Sequence, residues 1–216
     1  MSDQPTRNRS GRLRDNQRQK VYRAERFAFK EDETILAQWD DCTYEGRTVQ
    51  ECEDWIMAVI RRKTFQRWFP RAHSALVHHD GFLMPFDGSP WIPKQYGLRI
   101  ADGRGCRRAT ASYDGQTITL PRWARVEYVM LHELSHLVVH HEFKKREVAG
   151  HGWQFCMVYL KLVKNVLGPE AHDRLKQSFK TLRVKYTKPR AKRQYTDEER
   201  EVMRARMAAM RAARRD

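Results

Sequence analysis

No stretch of this chain approaches the roughly 18 consecutive apolar residues that a membrane-spanning helix needs, and its first residues hold no apolar segment of the secretory type. The expectation is a cytoplasmic protein with no membrane partner. Cysteine is scarce. Cys42, Cys52, Cys106 and Cys156 form no C-x-x-C pair, which leaves neither a disulfide framework nor a thiolate metal ribbon to hold the fold. Phosphate-cradling glycine loops, dinucleotide fingerprints and internal repeats are missing, as are the signatures of sequence-specific nucleic-acid modules. Acidic residues are outnumbered, with 27 Asp and Glu against 42 Lys and Arg, for a formal charge of +15.

The positive excess sits at the ends. Residues 1–20 carry six basic side chains against Asp3 and Asp15, and residues 183–216 carry twelve against five acidic ones. Such ends attract polyanions, and contacts to phosphate weaken steeply with salt. Non-specific nucleic acid is one candidate partner, and an acidic protein surface or solvent alone are the others. Hydrophobic residues make up 40% of the 216, enough for one sizeable core. The expected organisation is a disordered basic tail over residues 1–16, one domain over 17–182, and a basic tail with a helix over 183–216.

Periodicity places the elements. Residues 17–39 have helical spacing, with Val21, Tyr22, Phe27, Phe29, Ile35, Leu36 and Trp39 available for burial. Thr48 and Glu51 form a capping-box signature before Cys52, Trp55, Ile56, Val59 and Ile60, and Pro70 marks a stop. Residues 71–94 read as loop with short extended pieces, and His73, His78 and His79 as its polar surface. Residues 97–101, 106–112 and 117–120 read as strands, the last two joined by an Asp114-Gly115 hairpin. Helices are expected from Trp153 and again after Gly168-Pro169, with Val163, Leu167, Leu175, Phe179 and Leu182 as core. Thr196 and Glu199 form a second capping box, opening a terminal helix with a narrow Met203, Met207, Met210 stripe. The fold class is α+β.

Chemistry concentrates in Leu131-His132-Glu133-Leu134-Ser135-His136. On a helix of about 3.6 residues per turn, His132 and His136 share a face, and two imidazoles so placed converge on one metal ion. Glu133 points elsewhere, within reach of a water on that metal, where a carboxylate can accept a proton and return it to a leaving group. His140 repeats the spacing but lies about 12 Å along the axis from His132, too far to share the ion. A catalytic zinc takes three protein ligands and leaves one position open, so the third must come from chain that leaves the helix and returns. His151, between Gly150 and Gly152, fits. Lys144, Lys145 and Arg146 suit the intervening helix end or turn. Cys156 reads as a small buried side chain of the following helix. The bland alternative is a set of satisfied core histidines.

These residues carry a resemblance. H-E-L-S-H followed by G-H-G-W-Q-F resembles the SprT-like (Spartan-type) zinc metallopeptidases over roughly residues 95–167. The whole chain also resembles a small group of metallohydrolases of actinobacteria and their phages, which share the R-D-x-Q-R-x-K-V-Y start seen from Arg14 to Tyr22. The resemblance implies a zincin-like domain with a small antiparallel sheet packed on the H-E-x-x-H helix, plus additional N- and C-terminal helices. It implies that His132, His136 and His151 hold Zn2+, that Glu133 is the catalytic base, and that the substrate is a protein or peptide, in some members one bound or crosslinked to DNA. The paired C-x-x-C ribbon that follows the catalytic segment in many members is missing here.

The expected activity is zinc-dependent hydrolysis of a peptide bond. Tyr128, Tyr113 and Arg107 are the candidates for a second oxyanion donor. A strand edge upstream of the motif could take an extended peptide by main-chain pairing. The alternatives are a catalytically silent, metal-stabilised nucleic-acid-binding protein and a metallohydrolase acting on a small amide.

Overall fold

The computed structural model describes residues 15–29, 47–77, 79–83, 92–113, 116–143, 148–189 and 195–213. The expected burial of Ile35, Leu36 and Trp39, and the readings of Cys42, His78, the Asp114-Gly115 turn and residues 144–146, lie outside them. So do residues 1–14 of the tail assigned to 1–16. The class is α+β: among the described residues there are eight α-helices, a two-stranded ladder and a three-stranded sheet.

Helix α1 (Arg18–Phe29) buries Val21, Ala24, Glu25, Ala28 and Phe29, an i, i+3, i+4, i+7, i+8 stripe. Phe27 falls off that stripe and is exposed. Helix α2 (Val49–Ile60) opens with the Thr48–Glu51 capping box in place, both reciprocal bonds formed. Two short helices follow, α3 (Lys63–Trp68) and α4 (Pro70–Leu76). Here the loop reading needs correcting. Pro70 ends one helix and occupies the first turn of the next, where its missing N–H and fixed φ cost nothing, so His73 is helical. Strands β1 (His79–Leu83) and β2 (Ile92–Tyr96) then pair antiparallel.

Strands β3 (Arg99–Asp102), β4 (Thr110–Ser112) and β5 (Thr117–Leu120) form a sheet in the order β3-β5-β4. The hairpin expected between the last two is present, with Ala111 opposite Ile118. The antiparallel sheet expected overall is not: β3 runs parallel to β5, with Ile100 opposite Ile118, so the sheet is mixed. Residues 103–109 carry the chain across the sheet end, and β5 returns into the gap between β3 and β4. Gly103 makes that closure possible. Its N–H donates to the Leu120 carbonyl at 3.0 Å, and a Cβ there would sit 2.4 Å from the Pro121 nitrogen.

A 3-10 turn (Arg122–Ala124) leads into α5 (Glu127–Glu142), the helix that carries the H-E-x-x-H pattern. Its entry is fixed by a buried arginine. Arg125 donates to Asp102 at 2.8 Å and to the backbone carbonyls of Leu120 and Arg47, tying the sheet end to the helix start. Helix α5 is buried on most faces. It packs against α6 (Trp153–Val166), α4 and the β4–β5 hairpin, and α6 packs on α7 (Pro169–Thr181), which in turn contacts α1. Val163, Leu175 and Phe179 are fully buried, as expected of core positions. Helix α8 (Asp197–Ala212) starts on its predicted capping box and exposes Met203, Met207 and Met210. No described helix is long and apolar enough to cross a membrane.

Candidate metal centre

His132 and His136 lie one turn apart on α5, and His151 arrives from the turn before α6. The turn is closed by the Gly152 N–H on the Ala149 carbonyl. One nitrogen from each of the three rings lies within 4.8 Å of the other two. His132 and His151 are buried and His136 is half-buried. Phe155, one turn into α6, is a common floor, its ring centroid 4.5–4.8 Å from all three imidazoles. His140 is elsewhere, stacked on Tyr113 with centroids 4.6 Å apart, as its axial distance requires.

The outer ring nitrogens decide what the inner ones present. His132 Nδ1 lies 2.5 Å from Glu25 Oε1, and His151 Nδ1 lies 2.6 Å from Asp15 Oδ2. Where each Nδ1–H is donated to a carboxyl oxygen, each Nε2 keeps its lone pair. Those two Nε2 atoms face each other at 3.2 Å. Two ligands held about 2.0–2.1 Å from one tetrahedral ion would be about 3.3 Å apart. The donor set therefore fits a metal ion: three imidazoles, two already held by outer carboxyl groups. Three histidines in reach of one another could hold a metal ion, and the geometry alone does not choose the element.

Burial shapes the electrostatics. It drives His132 and His136 well below the usual imidazole range, and neighbouring histidines add to the effect, so both rings are neutral. Burial also raises Glu25 and Glu133 to about 8 each, and for Glu133 the nearby Glu25 raises it further. Asp15 behaves differently. Its burial opposes ionisation, but the bond and charge of His151 outweigh this and hold its carboxyl below the ordinary value.

Several members of this cluster were not expected. Asp15 belongs to the segment assigned to the basic tail, yet it packs on Gly150 so closely that a Cβ there would meet Asp15 Oδ2 at 3.0 Å. The adjoining Gln17 donates to the His151 carbonyl at 3.0 Å and accepts from the Lys185 N–H at 2.5 Å. Glu25 is 6% exposed. Its signal was present in the sequence, as an acidic residue on the apolar stripe of α1. Tyr22 stacks on His132 with centroids 5.4 Å apart and meets His151 edge-on at 5.3 Å. Of the proposed oxyanion donors, Tyr128 stacks on Phe29, Tyr113 is on His140, and Arg107 is exposed in the 103–109 loop. Cys156 is buried beneath His151 with its Sγ 3.8 Å from that residue's carbonyl oxygen, a structural place. Cys52 and Cys106 are also free thiols.

Comparison with protein-family models, with curated proteins and with solved structures found no match. The SprT-like resemblance accordingly rests on the motif residues themselves.

Proposed function

We propose that the protein is a zinc-dependent hydrolase of peptide bonds, with His132, His136 and His151 as the metal ligands and Glu133 as the general base. The observation that carries this reading is the approach of His132 Nε2 to His151 Nε2 at 3.2 Å, the spacing two ligands of one tetrahedral ion would take. When bound, zinc supplies Lewis acidity and lowers the pKa of a coordinated water toward about 7.

Glu133 follows His132 on α5 and is buried within the same cluster. In this reading it takes a proton from the attacking water and delivers it to the amine that leaves, so the amide C–N bond breaks as the C–O bond forms. The dry surroundings favour a protonated Glu133 in the metal-free protein, and a neighbouring dication would return it to the ionised form a base requires. Strand β4 is an edge of the three-stranded sheet and packs along α5. An extended peptide adding to that edge would pair through its main chain, leaving side-chain choice loose. The SprT-like resemblance supports the same substrate class.

The test is cleavage of an unfolded protein such as casein by the metal-loaded chain. Cleavage abolished by chelator and restored by zinc supports the proposal. Intact substrate at full metal occupancy sinks it. The basic ends and the exposed arginines of α8 favour nucleic acid as an accompanying partner. That is checked by whether DNA binding falls with added salt and survives the chelator.

A further inference from the structure

The site as described has a base and a set of ligands but lacks a hydrogen-bond donor for the charge that develops on the carbonyl oxygen. The residues named for that task from the sequence lie elsewhere. Helix α1 offers another. Arg18, Tyr22, Glu25 and Phe29 are spaced i, i+4, i+7 and i+11, so they share one stripe of the helix. Glu25 holds His132, and Phe29 stacks on Tyr128 of α5. That stripe therefore faces the metal-binding helix.

Tyr22 lies against two of the three ligand rings. Tyr159 also approaches His132, but its hydroxyl is donated to the Tyr128 carbonyl at 3.2 Å. The Arg18 guanidinium lies over Tyr22, its central carbon 5.7 Å from the ring centre. A cation held against a phenol polarises its O–H and makes it a stronger donor to a third group. Arg18 also has a buried Nε–H without a hydrogen-bond partner among the described residues, and its charge acts on His132, His136 and Glu133.

We propose that Tyr22 is a catalytic residue that donates a hydrogen bond to the carbonyl oxygen under attack, and that Arg18 is the positioning residue that holds the phenol. This inference rests on the hydrolase reading above. The proton balance is unchanged by it: water supplies the oxygen that bonds to carbon, Glu133 moves the proton to the departing amine, and Tyr22 keeps its own proton throughout.

Tyr22→Phe is the direct test, because the ring that packs on His132 and His151 is retained and only the hydroxyl is lost. In the zinc-loaded full chain, kcat should fall by about 10²- to 10³-fold, the cost of removing one oxyanion donor. KM and zinc affinity, read by chelator competition, should stay near wild type. A phosphinic peptide, whose tetrahedral oxyanion mimics the intermediate, should bind Tyr22→Phe more weakly by a comparable factor, since transition-state analogues report the same contacts. Arg18→Ala should lower kcat less, again without loss of metal. Wild-type kcat in Tyr22→Phe overturns the role. So does a fall in zinc affinity that accounts for the whole loss of activity, because the residue would then be structural. If the wild-type chain itself shows no chelator-sensitive cleavage, the hydrolase reading fails and this inference with it.

Discussion

Glu25 Oε1 lies 2.5 Å from His132 Nδ1, across 107 residues of sequence, and both side chains are buried. The contact fixes the tautomer of His132 and aims its Nε2 at the candidate metal position. Asp15 does the same for His151. Partners of this kind tune metal affinity by about 10- to 100-fold. Glu25→Gln and Asp15→Asn should each weaken zinc binding by an amount in that range, measured by competition with a chromophoric chelator. Affinities equal to wild type in both variants would show that the carboxylates serve only packing.

Glu133 separates binding from turnover. Glu133→Gln preserves shape and leaves the three imidazoles untouched. Zinc stoichiometry should remain that of wild type, while kcat should drop by about 10²- to 10⁴-fold, the range of a lost general base. Cleavage at near wild-type rate would remove Glu133 from the mechanism.

Stability of the metal-free protein should decline as pH rises from about 6.5 to 8. Glu25 and Glu133 hold their protons up to about 8 in the fold but ionise near 4.5 as ordinary carboxyls. Folding therefore takes up protons, and the stability these groups contribute is lost as pH rises toward 8. His132 and His136 are neutral in the fold and protonate near 6.5 when free, so their contribution runs the other way and is lost as pH falls below 6.5. Between about 6.5 and 8 only the carboxyl effect remains, at up to about 1.4 kcal/mol per pH unit for each proton released. Urea unfolding with chelator at pH 6.5 and 8 should show the decline, and saturating zinc should flatten it by favouring the ionised carboxylates. A flat metal-free profile over that interval would contradict the buried-carboxyl picture.

Phe155 is the floor under all three rings. Phe155→Ala should cost about 3–5 kcal/mol of stability, as large-to-small core changes do, and should also lower zinc affinity by loosening His132, His136 and His151. Thermal unfolding and chelator competition read the two effects separately. Loss of stability with unchanged metal affinity would mean that the ligand rings are held by their helices and carboxylates alone.

Local pattern made part of this structure legible. The turn-spaced His132 and His136, the flanked His151, both capping boxes and the β4–β5 pairing follow from helical period, cap chemistry and short-range strand spacing, each of which acts over a few residues. The parallel pairing of β3 with β5 does not, because it depends on which gap the returning strand enters. Asp15 and Glu25 escaped for a related reason. Their partners are 136 and 107 residues away, and a charge on a tail or in an amphipathic helix looks solvated until the surface opposite is known. Pro70 was legible as a boundary but not in its direction, since the same residue that stops one helix is favoured in the first turn of another.

X-ray absorption at the zinc edge of the zinc-reconstituted 216-residue chain tests the central claim most directly. The predicted spectrum is one zinc per chain with three imidazole nitrogens at about 2.0–2.1 Å and one further oxygen ligand, losing one imidazole in His151→Ala. A protein that binds no stoichiometric zinc, or a spectrum unchanged by that substitution, would contradict it.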